Sequence, residues 1–336
     1  MPVVELNLMR KSPLHTGATP PTDDAFARRE WFDMLRQYCF ADETCLWPSA
    51  TQGNVSATLP LIERSDGLSG LSNYYSFSYA PIFEGTPDIA QKQALIREIA
   101  AGLRRQHHRA SFYPLLNHDG TADMLRRAFA AAGWIALLTD QGVNYVLNVD
   151  GRDFATYWAG RPGALRSSVK RKGRGHPFDF AIYTRMTEPL WQAYMTVYGA
   201  SWKNAEPYPQ MIRAMADEAA ARGALRLGVA RLGDTVVAMQ IWTIEGSVAC
   251  IHKLAHDGAY DKMSPGTLLS HYLFEQMIDR EKVRLIDYGT GNNAYKQDWM
   301  DEKRPMMRLD CFDPRKAATW LPALRTRISQ LVHRPA

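Results

Sequence analysis

Three strand-like stretches follow one another between residues 224 and 258, and they constrain the fold more than any other feature of the sequence. They read ALRLGVARLG, TVVAMQIWTIEG and SVACIHKLAHDG, and each is rich in β-branched and other apolar residues. Two short turns, Gly233-Asp234 and Glu245-Gly246, separate them. Because such turns join antiparallel neighbours, this region predicts an antiparallel meander and argues against a doubly wound parallel sheet.

Helical and strand-like stretches lie on both sides of this meander. Five predicted helices with strands among them precede it, and a helix from Ser264 to about Arg280 and the strands VRLIDYG and MMRLDCF follow it. This order predicts an α+β protein with two tandem lobes, each a mixed, largely antiparallel sheet flanked by helices. The predicted segments are a flexible tail at 1–22, an N-terminal lobe at 23–160, a basic connecting segment at 161–177, a C-terminal lobe at 178–314 and an amphipathic helix at 315–336.

The stretch LIDYGTGNNAYKQDW contains the pattern G-x-G-x-x-A from Gly289 to Ala294. Such a pattern is typical of a dinucleotide site only when it opens a helix inside a βαβ unit. Here Pro305 allows only a short helix, and hairpins precede the turn. The pattern therefore predicts a tight turn that presents Tyr295 and Lys296 to a site of developing negative charge. A solvated lysine on a surface turn is the alternative.

Composition excludes several classes of protein. No apolar run approaches the ~18–20 residues of a membrane-spanning helix, and the N-terminus lacks the pattern of a secretory signal, so we expect a cytoplasmic protein. The four cysteines have no zinc-site spacing, and no metal site is expected. The net charge of +5 favours an anionic ligand or surface without identifying it.

The segment MSPGTLL predicts a helix start that suits an anion. Ser264 is a favourable N-cap, Pro265 is favoured at the first helical position, and Gly266 and Thr267 leave the next amides unobstructed. Free N–H donors and the positive end of the helix dipole together favour a phosphate. An ordinary helix start with nothing bound is equally compatible with these residues.

These motifs resemble a known family. The order A-Y-D-x-x-x-S-P-G-T-L-L, a helix, and then I-D-Y-G-x-G-x-x-x-Y-K-x-x-W is similar to the C-terminal lobe of GNAT-superfamily acyltransferases of the CelD-like and Fem-like branch. Ser201–Lys203 (SWK) and LRLGVARLGDTVVAMQIW add to the resemblance, which covers about residues 178–312. Proteins of this branch typically carry two GNAT-like lobes. The usual GNAT signature Q/R-x-x-G-x-G/A is replaced here by DKMSPGT.

The resemblance implies a transferase that moves an acyl group from a thioester, usually acyl-CoA, to an amine. Ser264, Gly266 and Thr267 would then face the phosphates of the donor, and Lys296 would stabilise the tetrahedral intermediate or hold a phosphate. Acyl-CoA would be a co-substrate, and no permanently bound cofactor is expected. The Fem-type members of the branch use aminoacyl-tRNA instead, so tRNA stays an alternative donor.

Acyl transfer also needs an acceptor for the proton of the amine. His252 lies in the strand SVACIHKLAHD and titrates in the useful range, so it is the first candidate, although most strand histidines are only packed residues. By the period of two, His252 should share a face with His256 while Lys253 points the other way. Beside Lys296, His252 and Tyr295 as catalytic residues, the predicted substrate-binding residues are Asp287, Asn292, Trp202 and Tyr260.

Two basic segments have open meanings. ALRSSVKRKGRGH suits CoA phosphates, a nucleotide sugar, tRNA or an anionic lipid, or it is a solvated linker. The C-terminal segment WLPALRTRISQLVHR either packs on a lobe or contacts a membrane peripherally. The predicted function is N-acylation of a sugar or lipid precursor of the cell envelope. The alternatives are an aminoacyl-tRNA-dependent transferase and a catalytically silent double-GNAT scaffold.

Overall fold

The computed structural model describes residues 5–9, 24–175 and 178–332. The strands are β1 Glu5–Met9, β2 Cys45–Gln52, β3 Val55–Thr58, β4 Leu61–Arg64, β5 Gly67–Gly70, β6 Ile82–Glu84, β7 Arg109–Leu116, β8 Ile135–Asn148, β9 Phe178–Tyr183, β10 Leu225–Leu232, β11 Thr235–Glu245, β12 Val248–His256, β13 Leu285–Thr290 and β14 Glu302–Phe312. The helices are α1 Arg29–Tyr38, α2 Ile89–Leu103, α3 Thr121–Ala131, α4 Phe154–Ala159, α5 Gly163–Gly175, α6 Glu188–Gly199, α7 Pro209–Ala221, α8 Pro265–Glu275, α9 Ala294–Gln297 and α10 Trp320–Val332.

The chain forms two compact units. Unit 1 consists of Met1–Val143 and Arg304–Ala336, and unit 2 consists of Asn144–Lys303. The sequence predicted lobes at 23–160 and 178–314. In the structure, α4 and α5 belong to unit 2 and the C-terminal part of β14 belongs to unit 1. Strand periodicity locates elements well but does not show which unit an element packs against.

In unit 1 the strand order is β6-β3-β2-β4-β5-β7-β14, with β1 paired to β2. The pairs are antiparallel except β5 and β7, which run parallel and are connected through α2. Glu5–Met9 falls inside the predicted tail 1–22 but forms a strand in register with residues 47–51. The remainder of that tail lies outside the described residues.

In unit 2 the strand order is β8-β13-β12-β11-β10-β9, to which β8 contributes its last residues, from Asn144 onward. The two hairpins β10–β11 and β11–β12 are antiparallel, as their turn sequences predicted. One parallel pair, β12 and β13, is connected through α8. Each unit is thus a mixed, largely antiparallel sheet with helices, and the predicted α+β fold class is confirmed.

A buried glutamine attaches α8 to the sheet of unit 2. Gln240 on β11 is 1 % exposed, and its Nε2 donates to Ser270 Oγ at 2.8 Å and to the carbonyl oxygen of Gly266 at 3.1 Å. Its Oε1 accepts from Trp242 Nε1 at 3.0 Å. Since Gly228 has no side chain, Leu273 of α8 packs directly over β10. These contacts fix the first turn of α8.

The basic segment predicted as a connection is mostly helix. α5 spans Gly163–Gly175, and Val169 is its buried residue. A Cβ at Gly173 would lie 3.9 Å from Leu268 Cδ2, so α5 packs closely on α8. The glycines that signalled a linker instead permit a close helix contact. Among the described residues, no helix is long and apolar enough to cross a membrane.

Replacing Gln240 by Leu should lower the free energy of unfolding by about 3 kcal/mol, because it removes the hydrogen-bond partner of the buried Trp242 Nε1 and of the buried Ser270 Oγ. The matched control is Gln192→Leu, which removes only an exposed hydrogen bond to Glu188 on α6. Urea unfolding of both variants measures the difference. Equal midpoints for the two variants would contradict the anchoring role of Gln240.

Candidate functional site

The strands β12 and β13 separate after a short parallel pairing. Their register covers Val248–Cys250 against Leu285–Asp287, whereas β12 continues to His256 and β13 to Thr290. Backbone groups beyond the last pair are available to other partners, because diverging strands cannot bond each other. We name the place where β12 and β13 are no longer paired the opening between β12 and β13; the last residue of β12, His256, lies against Gly266 at the start of α8.

A bulge in β12 lies at this opening. Ile241 pairs with Lys253 and Trp242 with Ile251, so His252 is the extra residue. The bulge interrupts the alternation on which the predicted faces of His252 and Lys253 depended. His252 Nε2 lies 2.8 Å from Thr243 Oγ1, and burial lowers the pKa of His252 to about 3. A histidine that is held neutral in this way is a weak proton acceptor near pH 7.

Lysines surround one buried carboxylate near the bulge. Lys253 Nζ lies 2.6 Å from Glu206 Oε2, and the Glu206 side chain is only 1 % exposed. Tyr198 is hydrogen-bonded to Glu206, and burial together with that carboxylate raises the pKa of Tyr198 to about 12. The ammonium of Lys203 lies 5.6 Å from the Trp202 ring centroid and 5.8 Å from that of Tyr198.

The charge of this cluster is positive overall. Burial, followed by the charges of Lys253 and Lys296, lowers the pKa of Lys203 to about 8, although Glu206 opposes the shift. Burial also lowers the pKa of Lys253. We name Lys203, Lys253, Lys296 and Glu206 the lysine cluster. Its excess of cations over carboxylates suits an anionic ligand or a developing oxyanion.

The glycine turn after β13 holds Lys296 inward. Lys296 is 5 % exposed, and its Nζ donates to the carbonyl oxygens of Gly289 at 3.1 Å and of Thr290 at 2.6 Å. Burial lowers the pKa of Lys296 to about 8, and the charge of Asp287 opposes the shift. Asp287 accepts from the amide of Gly289 at 2.7 Å and from Asn144 Nδ2 at 3.0 Å.

The neighbours of Lys296 in the turn are more exposed. Tyr295 is 42 % exposed and packs edge-on against Tyr288. Partial burial of the Tyr295 side chain raises the pKa of its hydroxyl. Asn292 Oδ1 accepts from the Tyr145 hydroxyl at 2.8 Å. The helix α9 that follows has four residues, far fewer than a dinucleotide site requires.

The start of α8 differs in detail from the predicted cap. Ser264 occupies the N-cap position with φ +57°, and its side chain makes no capping hydrogen bond. Gly266 faces the His256 ring, where a Cβ would lie 2.9 Å from Nδ1. Trp202 packs on the same ring at 4.7 Å, so the helix start is connected to the segment that carries Lys203. Tyr260 lies in the adjacent 3-10 turn Gly258–Met263.

Basic side chains lie beside this helix start. Lys172 of α5 donates to the carbonyl oxygen of Lys262, two residues before the N-cap of α8. Other basic residues of α5 are exposed to solvent, namely Arg166, Lys170, Arg171 and Arg174. The uncapped amides and the basic helix add positive charge at this end of α8, and the carboxylate of Asp261, whose Oδ1 lies 2.7 Å from His256 Nε2, opposes it.

Unit 1 also contains a parallel strand pair, β5 and β7, whose connection includes a helix as well as β6, but the start of that helix is different. The helix α2 between them begins with a capping box. The Asp88 side chain accepts from the backbone N–H of Gln91 at 2.7 Å, and the Gln91 side chain accepts from the backbone N–H of Asp88 at 2.9 Å. A carboxylate already occupies these amides and would repel a phosphate. The prediction of a phosphate site therefore applies to the helix start in unit 2 and not to the one in unit 1.

The sequence did not identify several residues of this site. Tyr198 and Glu206 are close to Lys203 in the sequence but were not recognised, and Lys253 comes near them only through a tertiary contact. The SWK motif was the one local signal for Lys203. The described residues contain no cluster of three or more His, Cys, Asp or Glu side chains that could hold a metal ion.

A family model described as "Acetyltransferase (GNAT) domain" matches residues 163–297. This segment is a GNAT domain. The match runs from the first residue of α5 to the last residue of α9, so the GNAT domain contains the lysine cluster, the opening between β12 and β13 and the start of α8. Comparison with curated proteins gives no significant match.

Solved structures extend the likeness to both units. The structure of FemX has a TM-score of 0.63 at 8% identity and covers 91% of this chain and 96% of its own. L-PGS from Bacillus licheniformis has 0.55 at 11% identity, covering 93% and 98%. The C-terminal domain (DUF2156) of a putative lysylphosphatidylglycerol synthetase from Agrobacterium fabrum has 0.55 at 13% identity, covering 83% and 86%. The GNAT-type fold predicted for the two lobes is confirmed.

The lysine cluster predicts an unusual dependence of stability on pH. The pKa of Lys203 is about 8 in the folded protein and about 10.4 when unfolded, so the unfolded chain binds more protons between these values and stability rises with pH there. Lys203→Met should reduce this rise, whereas Lys316→Met, at an exposed position, should not. Urea midpoints at about pH 8 and pH 10 test this, and parallel profiles for wild type and Lys203→Met would contradict it.

Proposed function

We propose that the protein is an N-acyltransferase that moves an acyl group from a thioester, acyl-CoA, to the amine of a sugar or lipid precursor of the cell envelope. The observation that carries this proposal is the GNAT domain in which an uncapped helix start lies beside an opening in the sheet and a buried lysine cluster. A solved structure of the same fold is named as a putative lysylphosphatidylglycerol synthetase, which favours a lipid acceptor.

The donor phosphates bind at the start of α8 in this proposal. Ser264, Gly266 and Thr267 contribute the first turn, whose amides have no side-chain cap. The helix α5 adds positive charge from the side of Lys172. Together these groups replace the missing GNAT signature with another electropositive anion site.

The reaction forms a carbon–nitrogen bond and breaks a carbon–sulfur bond. The amine attacks the thioester carbonyl carbon, the thiolate leaves and takes up a proton, and the amine loses a proton. Lys203, with a pKa of about 8, is partly neutral near pH 8 and accepts the amine proton. Lys253 and Lys296 stabilise the negative charge of the tetrahedral intermediate. His252 holds the bulge in place through its contact with Thr243. The residues that border the acceptor are Tyr295, Asp287, Asn292, Trp202 and Tyr260.

Thr267→Asp should weaken binding of the donor by about tenfold or more, because it places a carboxylate beside the phosphates. Thr267→Asn is the control, since the Asn side chain has nearly the same shape as that of Asp but no charge, and this variant should bind nearly as well as wild type. Gln210→Asp adds a carboxylate at the start of α7 and controls for charge elsewhere in unit 2. Calorimetric titration with CoA measures the affinities, and equal affinities for the Asp and Asn variants would contradict the phosphate site.

A series of CoA esters from acetyl to palmitoyl tests the donor class. We expect one range of chain lengths to raise the melting temperature and to release free thiol when sugar or lipid amines are present. Stabilisation without thiol release with any acceptor would contradict the enzymatic proposal in favour of a binding scaffold. No stabilisation by any ester would contradict CoA as donor.

Aminoacyl-tRNA is the second candidate donor, and the exposed basic residues of α5 favour it. Contacts from these side chains to the RNA backbone would release counterions, so binding should fall steeply with salt. Titration of charged tRNA at two salt concentrations distinguishes this case, since CoA carries few phosphates. Tight, salt-sensitive tRNA binding with no response to CoA esters would favour the second candidate.

A further inference from the structure

The helix α10 of unit 1 exposes its largest apolar side chains. The exposed fractions are 61% for Trp320, 56% for Leu321, 55% for Leu324 and 52% for Ile328. A helix packed on a globular unit normally buries such residues and exposes polar ones. Among residues 320–330 of α10, whose burial the structure describes, the buried position is by contrast Ala323, at 7% exposure.

These four residues form one continuous surface, which we name the α10 patch. Leu321, Leu324 and Ile328 follow one another at spacings of three and four, and Trp320 is four residues before Leu324. Residues at these spacings are neighbours on a helix surface, so the patch runs along the described part of α10. A contiguous apolar surface of this kind is typical of an interaction site.

The helix is attached to unit 1 along its other side. Ala323 packs in a small core with Leu137 and Phe312, and Gln330 Nε2 donates to the carbonyl oxygen of Leu138. At the start, the Thr319 hydroxyl donates to the carbonyl oxygen of Asp313 at 2.7 Å. The exposure of the patch is thus a consequence of how α10 is anchored.

The charges on α10 itself are of one sign. Arg325 and Arg327 are exposed on the helix, and Lys316 is exposed just before it, whereas the exposed Arg315 is paired with Asp313. The sequence contains no Asp or Glu after Asp313. An apolar helix surface with a tryptophan and flanking cations is complementary to lipid acyl chains below and anionic headgroups around them.

We propose that the α10 patch docks on the surface of an anionic phospholipid bilayer, with α10 lying in the plane of the interface. Trp320, Leu321, Leu324 and Ile328 enter the boundary between headgroups and acyl chains, while Arg325 and Arg327 bind lipid phosphates. This proposal does not depend on the acyltransferase activity, because every residue involved belongs to unit 1.

Other occupants fit the patch less well. A second copy of this chain would bring Arg325 and Arg327 of one molecule towards those of the other, since a two-fold contact uses the same surface twice. Residues 10–23, which lie outside the described part of the chain, contain Leu14 as their only large apolar residue and have Arg10 and Lys11. An anionic lipid surface satisfies both the apolar and the charged groups.

Sedimentation of the full chain with vesicles tests the proposal. Vesicles of phosphatidylcholine alone are compared with vesicles that also contain phosphatidylglycerol. Leu324→Glu with Ile328→Glu should lower the partition coefficient onto the anionic vesicles by at least about tenfold. The control is Ile89→Glu, at a residue 77% exposed at the start of α2, which should bind like wild type.

A second variant keeps the apolar surface intact. Arg325→Gln with Arg327→Gln should lower partition onto anionic vesicles about tenfold, and high salt should do the same to wild type. Equal binding to neutral and anionic vesicles, no binding to either, or an equal loss in Ile89→Glu would overturn the proposal. A dimer in velocity sedimentation that Leu324→Glu with Ile328→Glu dissociates would assign the patch to a second copy instead.

Discussion

Gln240 is the side chain that joins the sheet of unit 2 to the helix whose start is proposed to bind the donor. It bonds Ser270 and the carbonyl oxygen of Gly266 on α8, and it accepts from Trp242 in its own strand. A buried network with all of these partners satisfied has one favourable geometry, because any shift leaves a polar atom unpaired. The first turn of α8 is therefore held at a set height over β11, beside the opening between β12 and β13.

The lysine cluster differs from this network, because it contains more positive charge than its carboxylate neutralises. Glu206 forms a close ion pair with Lys253, whereas burial lowers the pKa values of Lys203 and Lys296 to about 8. Aromatic rings beside Lys203 and carbonyl oxygens around Lys296 reduce this cost without removing it. Such an uncompensated cluster is expected where an anionic ligand or intermediate supplies the missing charge.

The two units differ in helix capping although each contains a parallel strand pair whose connection includes a helix. Asp88 and Gln91 close the start of α2, whereas Ser264 leaves the start of α8 open. One carboxylate is enough to change a helix start from an anion site into a self-satisfied end. A single fold thus supports a proposed donor site in unit 2, while unit 1 carries the anchored helix α10 with its apolar patch.

The division between local and long-range information explains what could be predicted. The sequence by itself determined the meander, its hairpins, the tight turn before Lys296 and the helix start at Ser264, because turn residues and periodicity act within a few neighbours. Only the tertiary structure decided that His252 is a bulge, that Glu206 meets Lys253, and that α5 belongs to unit 2 and packs on α8. These features depend on pairing register, burial and close packing between segments far apart in the chain, which no local pattern records.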